Sequence, residues 1–148
     1  MIGIGAIIRD NLGFLRAVIS KTLPGIFSAE VGEILALREG LLLAKNLGNE
    51  VFLAEVDASN VALGVTDPIS NYREAALVIK DIKALFQDVG VSKCQTISCL
   101  GISVAHNLAS LTFSSTGDLL WQNVCLRDIF PYFLFMLLVF SFCSCQIK

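Results

Sequence analysis

The sequence predicts an α/β domain in which helices cover a β-sheet. The first twenty residues alternate as a β-hairpin does, and residues 28–47 have a helical period that leads into a strand pattern. Because strand and helix periodicities follow one another along the chain, a sheet covered by helices is favoured. We expect strands at 4–10, 14–21, 51–57 and 93–99 and helices near 28–47, 72–89 and 103–113.

The hairpin is predicted by the alternation in MIGIGAIIRD and by the turn-forming residues Asp10, Asn11 and Gly13 that follow it. The next segment, FLRAVISK, has the pattern of the returning strand. Asp10 is assigned to the turn, because a short carboxylate beside Asn and Gly commonly accepts hydrogen bonds from turn backbone.

The helix from about Ser28, its predicted N-cap, to Leu47 carries a carboxylate within its apolar stripe. Glu33 is the charged residue near the centre of that stripe, and Glu30 lies at its edge. The other members of the stripe are Ala29, Ala36, Leu37, Gly40, Ala44 and Leu47. A carboxylate in this position needs compensation by a metal, a cation or a hydrogen-bond donor.

A second acid, Asp57, ends the strand VFLAEVD that follows the break at Gly48 and Asn49. One acid on a helix face and another at the end of the next strand form a geometry suited to a metal site. The alternative is that Asp57, or Ser59, caps a short helix at 58–66.

A further amphipathic helix is predicted from about Tyr72 to Val89. Its apolar residues Ala75, Ile79, Ile82 and Phe86 recur at helical spacing, so this helix should pack on another element.

Charge and cysteine content restrict the classes of function. A net charge of −2 and a pI near 5.3 argue against tight non-specific binding of nucleic acid, although a local groove stays open. Cys143 and Cys145 form a C-x-C pair, for which we favour incidental reduced thiols over a metal site. An intracellular compartment, nucleus or cytoplasm, is therefore the default expectation.

Four segments carry a family resemblance: GIGAIIRDNLG, AEVGEILALREGLLLA, VFLAEVDASNVA and SVAHNLASL. Their order and separation resemble the plant RNase H-like domain related to reverse-transcriptase ribonucleases H, over roughly residues 3–113. The resemblance implies a mixed sheet flanked by helices, a retroelement origin and a two-magnesium site. The implied activity is cleavage of the RNA strand of RNA–DNA hybrids.

The resemblance also implies site residues. It places metal ligands at Glu33 and Asp57 and a fourth site residue at His106, so these three are the catalytic candidates. The first aspartate of the family lies on an earlier strand beside the hairpin, and this sequence lacks that strand. Cys99 and Ile102 stand where the family has a substrate-binding arginine and a loop asparagine.

We therefore expect an N-terminally truncated relative with weak magnesium binding at Glu33 and Asp57. A neutral imidazole at His106 is a poor magnesium ligand. Binding of RNA–DNA hybrid or other nucleic acid is expected to be weak, and hydrolysis weak or lost. The alternative is a non-catalytic nucleic-acid or protein interaction module.

The sequence divides into a domain at 1–115 and a hydrophobic extension at 116–148. Mean hydropathy is +0.71, and residues 129–145 carry no charge. This run lies at the lower edge of membrane-spanning length and contains Pro131, Ser141 and Ser144, so a tail packed on the domain, or one from an altered gene end, is favoured over a membrane anchor. Truncation after about Asp118 is expected to raise the soluble yield.

Overall fold

The computed structural model describes residues 1–12, 14–67, 75–96, 109, 113 and 117–122, together with the backbone of 142–147. The strands are β1 (Ile2–Arg9), β2 (Leu15–Leu23), β3 (Val51–Val56), β4 (Lys93–Thr96), β5 (Leu119–Gln122) and β6 (Phe142–Ile147). The helices are α1 (Ala29–Asn46), α2 (Ser59–Thr66) and α3 (Ala76–Val89). The α/β class is confirmed.

The predicted hairpin and the predicted start and end of the first helix are confirmed. Antiparallel pairing joins β1 and β2 as the hairpin, and α1 begins after Ser28, whose hydroxyl oxygen accepts from the backbone N–H of Val31 at 3.3 Å. After α1, Gly48 adopts a φ of 68°, the left-handed conformation that favours glycine, and so ends the helix. Residues 97–99 and most of the helix predicted at 103–113 lie outside the described residues.

The described strands form one six-stranded mixed sheet in the order β4-β3-β6-β1-β2-β5. The neighbours β3 and β4 are parallel, whereas β6 runs parallel to β1 and antiparallel to β3. The strand that ends before Asp57 therefore lies inside the sheet, as predicted.

Two strands come from the part of the chain that the sequence assigned to an extension. Residues 119–122 pair with β2 at one edge of the sheet, and residues 142–147 pair with both β1 and β3 in its interior. Sequence periodicity did not predict these strands, because the first has only four residues and the second overlaps the nearly continuous apolar run at 129–145. That residues 1–115 form a separate domain stays a prediction.

The core lies between the sheet and the helix pair α1–α3. Ile34, Leu37 and Leu41 of α1 are fully buried, and Ile79 and Ile82 of α3 are buried as well. The central part of the predicted α1 stripe is buried together with Glu33, whereas Ala29 is exposed at the start of the helix.

None of the helices in the described part of the chain is both long and apolar enough to cross a membrane. Most of the apolar run at 129–145 lies outside that part.

Candidate functional site

Glu33 is held on the buried face of α1, where its side chain meets the start of α2. The residue is 7% exposed, and its Oε2 accepts a hydrogen bond from the backbone N–H of Ala58 at 3.2 Å. The Ala58 N–H therefore offsets part of the cost of burying the Glu33 carboxylate. A hydrogen-bond donor is one of the three kinds of partner that the sequence predicted.

The same contact supports the beginning of α2. The N-cap of α2 is Ala58, which has no side-chain cap, so the prediction that Asp57 or Ser59 is the N-cap is wrong. Glu33 reaches the N-cap N–H from another helix, as a glutamate within a capping box does from its own helix. Negative charge at a helix N-terminus is also favourable.

Glu30 makes a second contact between the same two helices. Its carboxylate accepts from the side-chain amide of Asn60, in the first turn of α2. Two acids spaced about one turn apart on α1 thus meet the first residues of α2.

The structure brings Glu33 to the backbone beside Asp57. The nitrogen that Glu33 contacts belongs to the peptide linking Asp57 to Ala58, and Asp57 is partly exposed directly after β3. His106, Cys99 and Ile102 lie outside the described residues.

The two carboxylates suit one magnesium ion by their chemistry. Magnesium prefers hard oxygen ligands, and it commonly binds through one or two carboxylates while it keeps several waters. Glu33 and Asp57 are the residues that would hold it.

A row of polar side chains on β1, β3 and β4 crosses the sheet, with one buried carboxylate at its centre. Glu55 is 4% exposed; its Oε2 accepts from the guanidinium of Arg9, and its Oε1 accepts from the side-chain amide of Gln95 at 3.3 Å. Sequence reasoning missed this row, although a charged residue between Ala54 and Val56 in an otherwise apolar strand was the signal for a buried partner.

Asp10 is confirmed as a turn residue. Its Oδ1 accepts from the backbone N–H groups of Leu12 at 3.0 Å and Phe14 at 2.9 Å, and its Oδ2 lies 2.8 Å from the guanidinium of Arg16. Burial alone would raise the pKa of Asp10, but the bonds from Phe14 and Leu12 and the charge of Arg16 outweigh it and lower the pKa.

The position beside β1 is occupied by β6. The resemblance implies an aspartate-bearing strand beside the hairpin, whereas residues 142–147 read FCSCQI and contain no acid. A carboxylate is therefore not supplied from this strand.

These features define the class of the protein. A mixed sheet covered by helices, with an acid on α1 facing the end of an interior strand, is compatible with an RNase H-like fold. The reverse transcriptase-like family matches residues 2–112, which is most of the chain, and the chain belongs to this family. It is thus a nucleic-acid-related RNase H-like domain. Searches among curated proteins and among solved structures found no significant match.

Proposed function

We propose that this chain is an RNase H-like nucleic-acid-binding domain with weak or lost catalysis. Its ancestral activity would be metal-dependent hydrolysis of the RNA strand of RNA–DNA hybrids. Family membership supports the substrate class. The contact of Glu33 with the Asp57–Ala58 peptide supports the location of the site.

Ligand chemistry supports weak rather than full activity. Two-metal hydrolysis needs carboxylates that hold two ions about 4 Å apart. Glu33 already accepts the Ala58 N–H, and the strand beside β1 offers no acid. Magnesium bound by Glu33 and Asp57 would supply positive charge to phosphate oxygens, while His106 would contribute at most a neutral ligand.

The alternative function is a non-catalytic nucleic-acid or protein interaction module of retroelement origin. The observation that favours it is that Glu30 and Glu33 of α1 already contact the start of α2. In this alternative, Glu33 orients α2 and binds no metal in solution.

A magnesium titration of the full chain, followed by NMR, distinguishes the two functions. We expect weak, saturable shifts of the Glu33, Asp57 and Ala58 signals. Because Glu33→Gln removes a charged ligand, it should weaken the magnesium affinity by about tenfold. Glutamine keeps an oxygen that can accept the Ala58 N–H, so the variant tests charge rather than the helix contact.

Glu50→Gln is the matched control, because Glu50 is exposed at the opposite end of β3 from Asp57. Equal shifts in the wild type and in Glu33→Gln would favour the non-catalytic module.

Cleavage of a labelled RNA–DNA hybrid tests the level of activity. We expect little or no cleavage by the unmodified chain, because the strand beside β1 carries no acid and paired-metal hydrolysis needs carboxylates to hold both ions. Robust magnesium-dependent cleavage that Glu33→Gln abolishes and Glu50→Gln preserves would show that the chain is an active nuclease.

A further inference from the structure

The interior strand β6 joins two parts of the sheet that are otherwise separate among the described strands. On one side lie β1, β2 and β5, and on the other lie β3 and β4. Residues 142–146 pair with β1 and residues 143–147 pair with β3, so most of this strand is bonded on both sides. Without it, both β1 and β3 would have an unpaired edge.

The two parts of the sheet also have a connection that does not depend on β6. Helix α1 packs against β1 and β3 as well as against β6. On the opposite face, the Arg9–Glu55 ion pair links β1 to β3, which lie two strand spacings apart, about 9–10 Å. If β6 left the sheet, the protein would therefore open locally, and the β1–β2–β5 part would stay connected to the β3–β4 part.

The path of the chain also makes β6 separable. It follows β5, which among the described strands pairs with β2 at the sheet edge, and it must reach a position three spacings away, about 14 Å. The intervening residues 123–141 could span about 60 Å when extended. The connection is therefore long enough that it does not hold β6 in its position between β1 and β3.

We propose that β1 and β3 form a strand-binding groove, which the chain's own residues 142–147 fill reversibly. The partner that fits this groove is the same segment of a second copy of the chain. Recognition is by backbone pairing on two edges, parallel on β1 and antiparallel on β3. This inference is independent of the metal site, and its test involves no nucleic acid.

A disulfide lock tests the groove in the full chain. In the antiparallel register, Val56 lies opposite Cys143, and such pairs have Cα separations within the range that a disulfide can bridge. Val56→Cys should therefore oxidise with Cys143 and hold β6 in place. Val51→Cys is the matched control, because Val51 is equally buried on the same strand but lies opposite Ile147.

The probe is a fluorescent peptide of residues 139–148 carrying Cys143→Ser and Cys145→Ser. The peptide competes with the chain's own β6, whose effective concentration at the groove is about 1 mM. Peptide at about 100 µM should therefore occupy the groove in roughly a tenth of the molecules. We expect this binding with the wild type, with oxidised Val51→Cys and with reduced Val56→Cys. Oxidised Val56→Cys should bind at least about tenfold less.

Four results would overturn the proposal. Equal binding to oxidised and reduced Val56→Cys would show that the peptide binds elsewhere. No binding to any form would show that the strand does not exchange. Failure of folded Val56→Cys to form the disulfide with Cys143, shown by peptide mapping, would place residues 142–147 outside the groove. A disulfide that joins two copies would overturn the filling of the groove by the chain's own strand.

Discussion

At the scale of single residues, Asp10 and Glu33 show which roles a sequence can predict. The partners of Asp10 lie within six residues of it, so local composition was enough to assign it to the turn. The partner of Glu33 lies on another helix. The stripe predicted a buried carboxylate in need of compensation, but only the packing of α1 against α2 identifies the donor.

Asp10 should make the stability of the domain depend on pH. Its pKa is lowered in the folded state, so its stabilising contribution is present above its unfolded pKa and is lost as pH falls through the folded value. We expect the wild type to lose stability on acidification below about pH 4. Asp10→Asn should be less stable at pH 7 and should lose less on acidification.

Urea unfolding at pH 7 and pH 3 measures this difference, with Glu50→Gln as an exposed control. The same pH dependence in Asp10→Asn and in the wild type would mean that other carboxylates determine acid stability.

At the scale of elements, the helix pair α1–α3 is joined by two ion pairs about two turns apart. Arg38 bonds Asp81 at 3.3 Å and Lys45 bonds Asp88 at 2.7 Å. Residue numbers increase from the first ion pair to the second on both helices, so α1 and α3 run parallel. Three of these four side chains are about half exposed and the Arg38 side chain is about one-third exposed, so the apolar contacts between the helices should dominate their association.

A double-mutant cycle separates the two contributions. Lys45→Ala and Asp88→Ala should show a coupling energy of about 0.2–1 kcal/mol that disappears at high salt. Ile82→Ala, at the buried contact, should cost about 2–5 kcal/mol. Urea unfolding at low and high salt measures both, and a salt-independent coupling above about 2 kcal/mol would contradict a surface ion pair.

The elements also show where sequence reasoning ends. Hairpin alternation and helical spacing predicted β1, β2, β3, α1 and α3, since these patterns are local. The strands β5 and β6 were assigned to an apolar extension, because β5 has only four residues and β6 overlaps a nearly continuous apolar run.

At the scale of the whole molecule, β6 is also connected to the candidate site. Cys143 pairs with Val56, the last residue of β3, which directly precedes Asp57. The interior strand therefore pairs with the end of β3, next to the Asp57–Ala58 peptide that Glu33 contacts. The sequence placed Glu33 and Asp57 near one another, but it could not predict that a C-terminal strand would support this arrangement.

Truncation of the C-terminal segment tests the extent of the folding unit. Truncation after Asp118 removes β5 and β6 together with the apolar residues 123–141, so a higher soluble yield would not by itself show that 1–115 folds alone. A chain that ends at residue 141 is the sharper variant, because it keeps the apolar residues and loses only β6 and Lys148. Its β1 and β3 edges would be open, and open edges lower stability and promote association. We expect a lower urea midpoint and concentration-dependent association by light scattering. A truncated chain that stays monomeric and unfolds at the midpoint of the full chain would instead show that residues 142–148 lie outside the folding unit.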